Sequence, residues 1–299
     1  MMNNQSRLAF IAQTDHLQTT SKNYALHLMM KNRGILIGGT IILIAVLMAI
    51  FADLIAPADP NLPHAANKLQ PPGLLGYILG SDELGRDIAS RLIYGVRLSL
   101  GIGFLAALMA STTGLVLGTL SGYFGGWFDS VVMRIMDIML AFPYILLPIV
   151  IVAVIGPGLF NTLLAVAVLG IPFYVRVTRA AVLTIKERDY ITAARVTGCT
   201  QGRIVFRGII PNVLSPVITA FSLDVGVLIL EASSLSFLGL GAQPPTAEWG
   251  AMLSTGRQYF MLAPHIGLLP GLCIFILVLA CNLFGDGLRD VLDPRLRIR

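Results

Sequence analysis

Charge is scarce in this chain of 299 residues: Asp, Glu, Lys and Arg make up 12% of it, about half the quarter usual in soluble proteins. So few charges cannot coat a water-facing surface. Hydrophobic residues make up 56% and the mean hydropathy is +0.79. Disordered tails, coiled coils and nucleic-acid-binding arms are thereby excluded, because each needs a polar or charge-rich chain. Cysteine is almost as rare. Cys199, Cys273 and Cys281 form no CxxC pair, and the last two, eight residues apart on one apolar run, would stand about 12 Å apart on a helix, beyond disulfide reach. None of the lysines, Lys22, Lys31, Lys68 and Lys186, precedes Ser or Thr, which rules out a phosphate-binding P-loop. There is no Gly-x-Ser-x-Gly elbow and no His-Glu-x-x-His pair, and His16, His27, His64 and His265 are scattered. Neither a hydrolytic nor a metal site is expected, and the chain is read as non-catalytic, binding no cofactor of its own.

Long apolar runs are what the chain has instead. Met1 to Arg33 is polar and lacks the compact apolar stretch of a signal peptide. Gly34 to Ile55 then supplies some 22 residues, against the roughly 20 that cross a bilayer core. Pro57, Pro60, Pro63, Pro71 and Pro72 read as an extended loop. Ser81 is placed to cap a short helix ending near Arg97, with Asp82/Arg86 and Asp87/Arg91 as exposed pairs on a solvated cap. Further spans are expected over Leu98–Tyr123, Val131–Ile155, Asn161–Tyr174, Pro211–Leu240 and Ile266–Phe284, with Arg134 and Asp137 pairing near the start of the third. The result is an all-α membrane protein of six transmembrane helices. Its parts are a tail (1–33), a first helix (34–56), a loop with a short helix (57–97), a five-helix core (98–288) containing a polar connector (185–211), and a second tail (289–299). Six spans leave Lys68, Arg86, Arg91, Arg97 and Arg257 on one side and the other 16 of 21 basic residues opposite. The bias of Lys and Arg toward the cytoplasm then puts both termini and the connector inside.

Four groups of residues stand out. Asp189 can cap a two-turn helix ending at Gly198, the residue type suited to a left-handed termination. A second short helix from about Gln201 to Ile210 follows, and Pro211 opens the fifth span. By pattern alone this is either a plain connector or a rigid plug for a groove in a partner. Gly114, Gly118 and Gly122 share one helix face, where another backbone can approach closely. Asp224 and Glu231, seven apart, share a face of the fifth helix; each costs about 2.5–3.5 kcal/mol at the bilayer centre, so both should face protein or a watery cavity. They are candidates for a translocation path, and the pair would equally serve a proton-coupled secondary transporter. Pro244, Pro245 and Trp249, with Arg86 and Asp87 on the same outer side, offer a surface for the headgroup layer or for a docking protein. A membrane anchor or receptor without a pathway is the remaining reading.

The run TAARVTGCTQGRIVFRGIIP resembles the cytosolic loop of ATP-binding-cassette importer permeases, patterned Glu-Ala-Ala, three residues, Gly, nine residues, Ile-x-Leu-Pro. Ala193, Ala194, Gly198 and Pro211 fall at that spacing, while Thr192, Gly208 and Ile210 depart from it. LGSDELGRDIASRLIYGVRLSL, MRIMDIMLAFP, SLSFLGLGAQPPTAEWGAML and NLFGDGLRDVLDPRL extend the likeness to the permeases of dipeptide, oligopeptide, glutathione and nickel importers, from Lys31 to the end. The resemblance implies a type I importer permease fold in a bacterial inner membrane. It implies as partners a second, homologous permease, two ATPase subunits that hold the ATP and Mg, and an external substrate-binding protein. Under it, Asp189 to Pro211 is the loop that couples to the ATPase, with Asp189, Thr192, Ala193, Ala194, Gly198 and Pro211 as its residues. Peptides are the implied solutes, with glutathione or chelated nickel as alternatives.

Overall fold

A computed structural model describes residues 31–292. Of the expected tails, residues 1–30 and 293–299 lie outside the described residues, and 289–292 continue the last helix. The first span, α1 (Arg33–Ile50), starts where the Asn32 side chain accepts from the Gly34 and Ile35 amides. The proline-rich segment that follows is not free. Its backbone is pinned by Ala58 N to Ser90 Oγ at 2.9 Å, His64 N to Leu84 O at 3.1 Å and Leu69 N to Asp82 O at 3.0 Å.

The second span departs from expectation. One helix, α2 (Ile88–Phe124, 37 residues), replaces the separate cap helix and span. Asp87, not Ser81, caps it, accepting from Ser90 N at 2.7 Å. Nothing between Ile88 and Leu98 breaks a helix, so the outer segment simply joins the span, whereas Gly85, at φ +79°, keeps Ser81 to Arg86 in turns.

The third span is broken. α3 (Gly126–Ala141) and α4 (Leu146–Ile155) meet at 96°. The cause is Pro143, which lacks an amide hydrogen and drives Phe142 into an extended conformation (φ −73°, ψ 141°). Arg134 does not pair with Asp137. Asp137 takes Arg176 at 2.7 Å, and Asp129 takes Arg179 through two bonds of 2.6 Å. Both arginines belong to α5 (Leu159–Lys186), which runs three turns beyond the expected end near Tyr174.

Beyond it come the two-turn α6 (Asp189–Val196), α7 (Ile210–Phe237), the short α8 (Trp249–Gly256) and α9 (His265–Leu292). The second connector helix is a single turn, Gln201–Arg203, followed by a π-helical segment, Ile204–Ile209, that runs straight into α7. Among the described residues, five helices are long and apolar enough to cross a membrane, and the bent pair α3/α4 makes up to six.

The helices cohere through small residues. On α2, an ideal Cβ at Gly114 would fall on Tyr174 Cβ, one at Gly118 would lie 2.6 Å from Thr178 Cβ, and one at Gly122 2.9 Å from Val182 Cβ. Tyr174, Thr178 and Val182 are successive turns of α5, so the expected stripe is a continuous seam between α2 and α5.

Candidate functional site

The connector is built as a closed unit. Arg188, in extended conformation, is the residue before α6, so Asp189 is its first helical residue and not its cap; there its charge favours the helix N-terminus. At the other end Gly198 has φ +77°, with Gly198 N bonded to Arg195 O and Cys199 N to Ala194 O, both at 3.0 Å. These two hydrogen bonds close the helix through a left-handed residue, the termination expected of Gly198. Ile191 is buried beneath α6 among Ile204, Ile209 and Val213, which fixes the helix to the start of α7.

Thr192, Ala193, Arg195 and Val196 face outward, and Val196 is 83% exposed, as is Phe206 at 72%. Neither of these apolar side chains is covered by the chain's own packing. The π segment delivers Pro211: Ile210 N reaches back to Val205 O, five residues, and Gly208 O accepts from Asn212 Nδ2 at 2.8 Å and Tyr190 Oη at 3.3 Å. Widening the helix here accommodates a proline that has no amide to donate.

Two contacts tie α6 and its approach to the glycine seam. Lys186 Nζ donates to Gly122 O at 3.0 Å, and the Arg195 guanidinium lies 5.9 Å over the Tyr123 ring.

Asp224 and Glu231 are both half-buried on α7. Asp224 Oδ2 is sealed from solvent and makes no hydrogen bond, and it sits 3.7 Å from where a Cβ of Gly170 on α5 would be. The fully buried Tyr174, one turn along α5 from Gly170, also has an unpartnered hydroxyl. Both acids lie within electrostatic reach of Tyr144 at the α3/α4 break. Irregular backbone at membrane depth is tolerated where it is buried in protein or lines a watery cavity. Sequence reasoning missed this break and both tyrosines; the Phe-Pro step at 142–143 was the signal available.

At the opposite end of α2 the outer residues are not a solvated cap. Arg86 Nε meets Asp82 Oδ2 at 2.6 Å and its Nη2 meets Glu83 Oε1 at 2.8 Å, while Arg91 Nε lies 3.5 Å from Asp82 Oδ2 and its Nη1 donates to Pro60 O at 2.9 Å. Arg86, Asp87 and Trp249 are 6%, 5% and 4% exposed, so as contacts for a docking protein they are corrected; only Pro244 and Pro245 of that group face outward. Trp249 lies against Gly95 and donates Nε1 to Leu92 O at 3.0 Å. Glu248 caps α8 by accepting from the Gly250 and Ala251 amides, each at 2.9 Å. Burial pushes the carboxyls of Glu83 and Glu248 above the usual range.

Comparison with known proteins bears on this arrangement. Residues 114–298 match the family "Binding-protein-dependent transport system inner membrane component", and residues 23–72 match the "N-terminal TM domain of oligopeptide transport permease C". A dipeptide transport system permease protein of Haemophilus influenzae is 48% identical over 89% of this chain and 92% of its own. A glutathione transport system permease protein of Pectobacterium atrosepticum is 44% identical over 87% and 86%. Among solved structures, a chain of the MetNI methionine transporter in an inward-facing conformation matches with a TM-score of 0.54 at 23% identity, covering 67% of this chain and 95% of its own.

Proposed function

The chain belongs to the binding-protein-dependent transport system inner membrane components, and on that premise we propose that it forms half of the translocation pathway for small peptides in an ATP-driven importer. The family makes it a multi-pass permease of the inner membrane. The other half of the pathway is a second permease, two ATPase subunits hold ATP and Mg, and a binding protein delivers the solute. The observation that carries the peptide reading is the 48% identity to the dipeptide permease over nearly the whole chain. Glutathione, itself a tripeptide, is the second reading, favoured by the relative at 44%.

Within that assignment α6 is the coupling element on the cytosolic face. Thr192, Ala193 and Ala194 meet the ATPase, and Gly198 and Pro211 hold the unit's two ends. The exposed Val196 and Phe206 and the locked termination at Gly198 support it. Asp224 and Glu231 border the solute's path beside the α3/α4 break, as intramembrane acids generally serve function.

The test is ATP-driven peptide uptake by the complex assembled with its partners in vesicles. Gly198→Pro forces φ near −65° where +77° is needed, and Ala194→Arg drives a long charged side chain into a half-buried site. Both should uncouple ATP hydrolysis from uptake while the subunit stays inserted. Unchanged uptake in both variants removes α6 from the mechanism. Uptake by the isolated chain, abolished by an uncoupler and indifferent to ATP, would instead establish a proton-coupled transporter.

A further inference from the structure

On the α6 side of the molecule, α7 and α9 touch where Gly285 stands against Leu223 and Gly226 against Cys281. One turn further toward α6, at Thr219 and Arg289, they part, and a cleft of about 700 Å³ opens between them and the end of α5. Its lining is divided. Ala181, Ile185 and Pro216 give it an apolar wall, and Arg188 and Arg289 give it charge. Among the described residues, no carboxylate lines it. Among the described residues, neither guanidinium is in an ion pair.

Three features identify an occupant. α5, α7 and α9 are spans, and the cleft lies at the ends they turn toward α6. Two unpaired guanidiniums with forked donors suit a phosphate. The volume and the apolar wall exceed what a bare phosphate or a carboxylate side chain would fill or need. We propose that this cleft binds an anionic phospholipid, with its phosphate between Arg188 and Arg289 and the first part of its acyl chain against the apolar wall. Basic pockets between spans at a membrane surface bind such headgroups elsewhere. Arg188 is the residue immediately before α6, so the bound lipid braces the base of that helix.

The experiment uses the importer assembled with its partners and carried in nanodiscs of phosphatidylethanolamine alone or mixed with phosphatidylglycerol. Native mass spectrometry counts the lipids retained after mild detergent stripping. The wild type should retain phosphatidylglycerol preferentially. Arg289→Gln and Arg188→Gln should each weaken retention about fivefold, the share of one arginine at an anionic surface. Arg289→Lys, which keeps the charge, should lose less than Arg289→Gln. Equal retention in the double Gln variant overturns the proposal, as does equal loss in the Lys and Gln variants. Displacement of the lipid by sodium phosphate would mark a free-anion site. Loss of ATPase subunits from both Gln variants in phosphatidylethanolamine alone would mark a protein carboxylate as the occupant. Either result refutes a lipid site.

Discussion

The seam between α2 and α5 makes a prediction in which one substitution has opposite signs at two positions of the same helix. At Gly118 an added methyl would lie 2.6 Å from Thr178 Cβ, 2.7 Å from Val175 O and 3.0 Å from Thr178 Cγ2. Carbon atoms rest at about 3.5–4.0 Å, so α2 and α5 must part by about 1 Å. The Val175 carbonyl is backbone and cannot rotate away. Overpacking of this kind costs about 1–3 kcal/mol. At Gly101, also on α2, a Cβ would meet nothing within 4 Å, and replacing glycine by alanine there should stabilise by about 0.5–1 kcal/mol through helix propensity alone. Gly118→Ala should therefore lower the melting temperature of the purified importer, and Gly101→Ala should leave it level or raise it. Thr178→Gly deletes two of the three clashes and leaves Val175 O, so it should restore part of the loss in Gly118→Ala, with a coupling energy of about 0.5–3 kcal/mol in the double-mutant cycle. If the two alanine variants melt alike, or if Gly118 and Thr178 act additively, the helices do not touch as described.

Asp82→Ala leaves Arg86 and Arg91 as buried guanidiniums without their shared carboxylate, and should cost about 3–5 kcal/mol, read as early melting and proteolysis near Gly85; an unaltered melting curve contradicts the buried ionic cluster. Glu248 sits above its ordinary 4.5 because of burial, so the folded state holds its proton more tightly than the unfolded state. Its linkage therefore favours the fold at low pH and is lost as pH rises through the window above 4.5. Melting temperature should decline from pH 5 to pH 7 more steeply in wild type than in Glu248→Gln, and parallel slopes count against it. Asp224→Asn keeps shape and removes charge. If the acid borders the path, peptide uptake should fall about tenfold or more in assembled complexes, since a bond to a charged group is worth about 1.5–3 kcal/mol; full uptake would take Asp224 off the path.

The spans and the seam were legible because each rests on a local rule. Apolar length marks a crossing, and glycine at every fourth position marks one face. The end of α6 was legible for the same reason, since Gly198 alone tolerates the turn the helix needs. What failed were judgements that depend on a neighbour distant in sequence. Asp82, Arg86 and Asp87 have the spacing of exposed helix pairs, yet the proline-rich segment is bonded across them, Leu69 N to Asp82 O and His64 N to Leu84 O, and no sequence interval reports that Pro60 O accepts from Arg91. Arg134 and Asp137 were natural local partners until α5 brought Arg176 within 2.7 Å of the same carboxylate. The break at Pro143 was locally encoded but masked, because the hydropathy of the flanking runs reads as one continuous span.

Helix lengths give the connector its mechanical meaning. At 1.5 Å per residue, α2 is about 55 Å long and α5 about 42 Å, both beyond a hydrocarbon core of about 30 Å. The surplus falls at opposite ends. α2 overhangs at Ile88 to Arg97, where the buried ionic cluster and Trp249 hold it. α5 overhangs at its Lys186 end, where it leads into α6. Between the two overhangs the helices meet along a seam of glycines facing Tyr174, Thr178 and Val182, and the hydroxyls of Thr119, Tyr174 and Thr178 in this region make no hydrogen bond. Lys186 Nζ donates across the seam to Gly122 O at 3.0 Å at the end nearest α6, and elsewhere the contact is made by backbone and small side chains in close packing. If α6 is the coupling element, a displacement delivered to it therefore enters α5 directly and passes through this close-packed seam to α2, whose outer end the ionic cluster anchors.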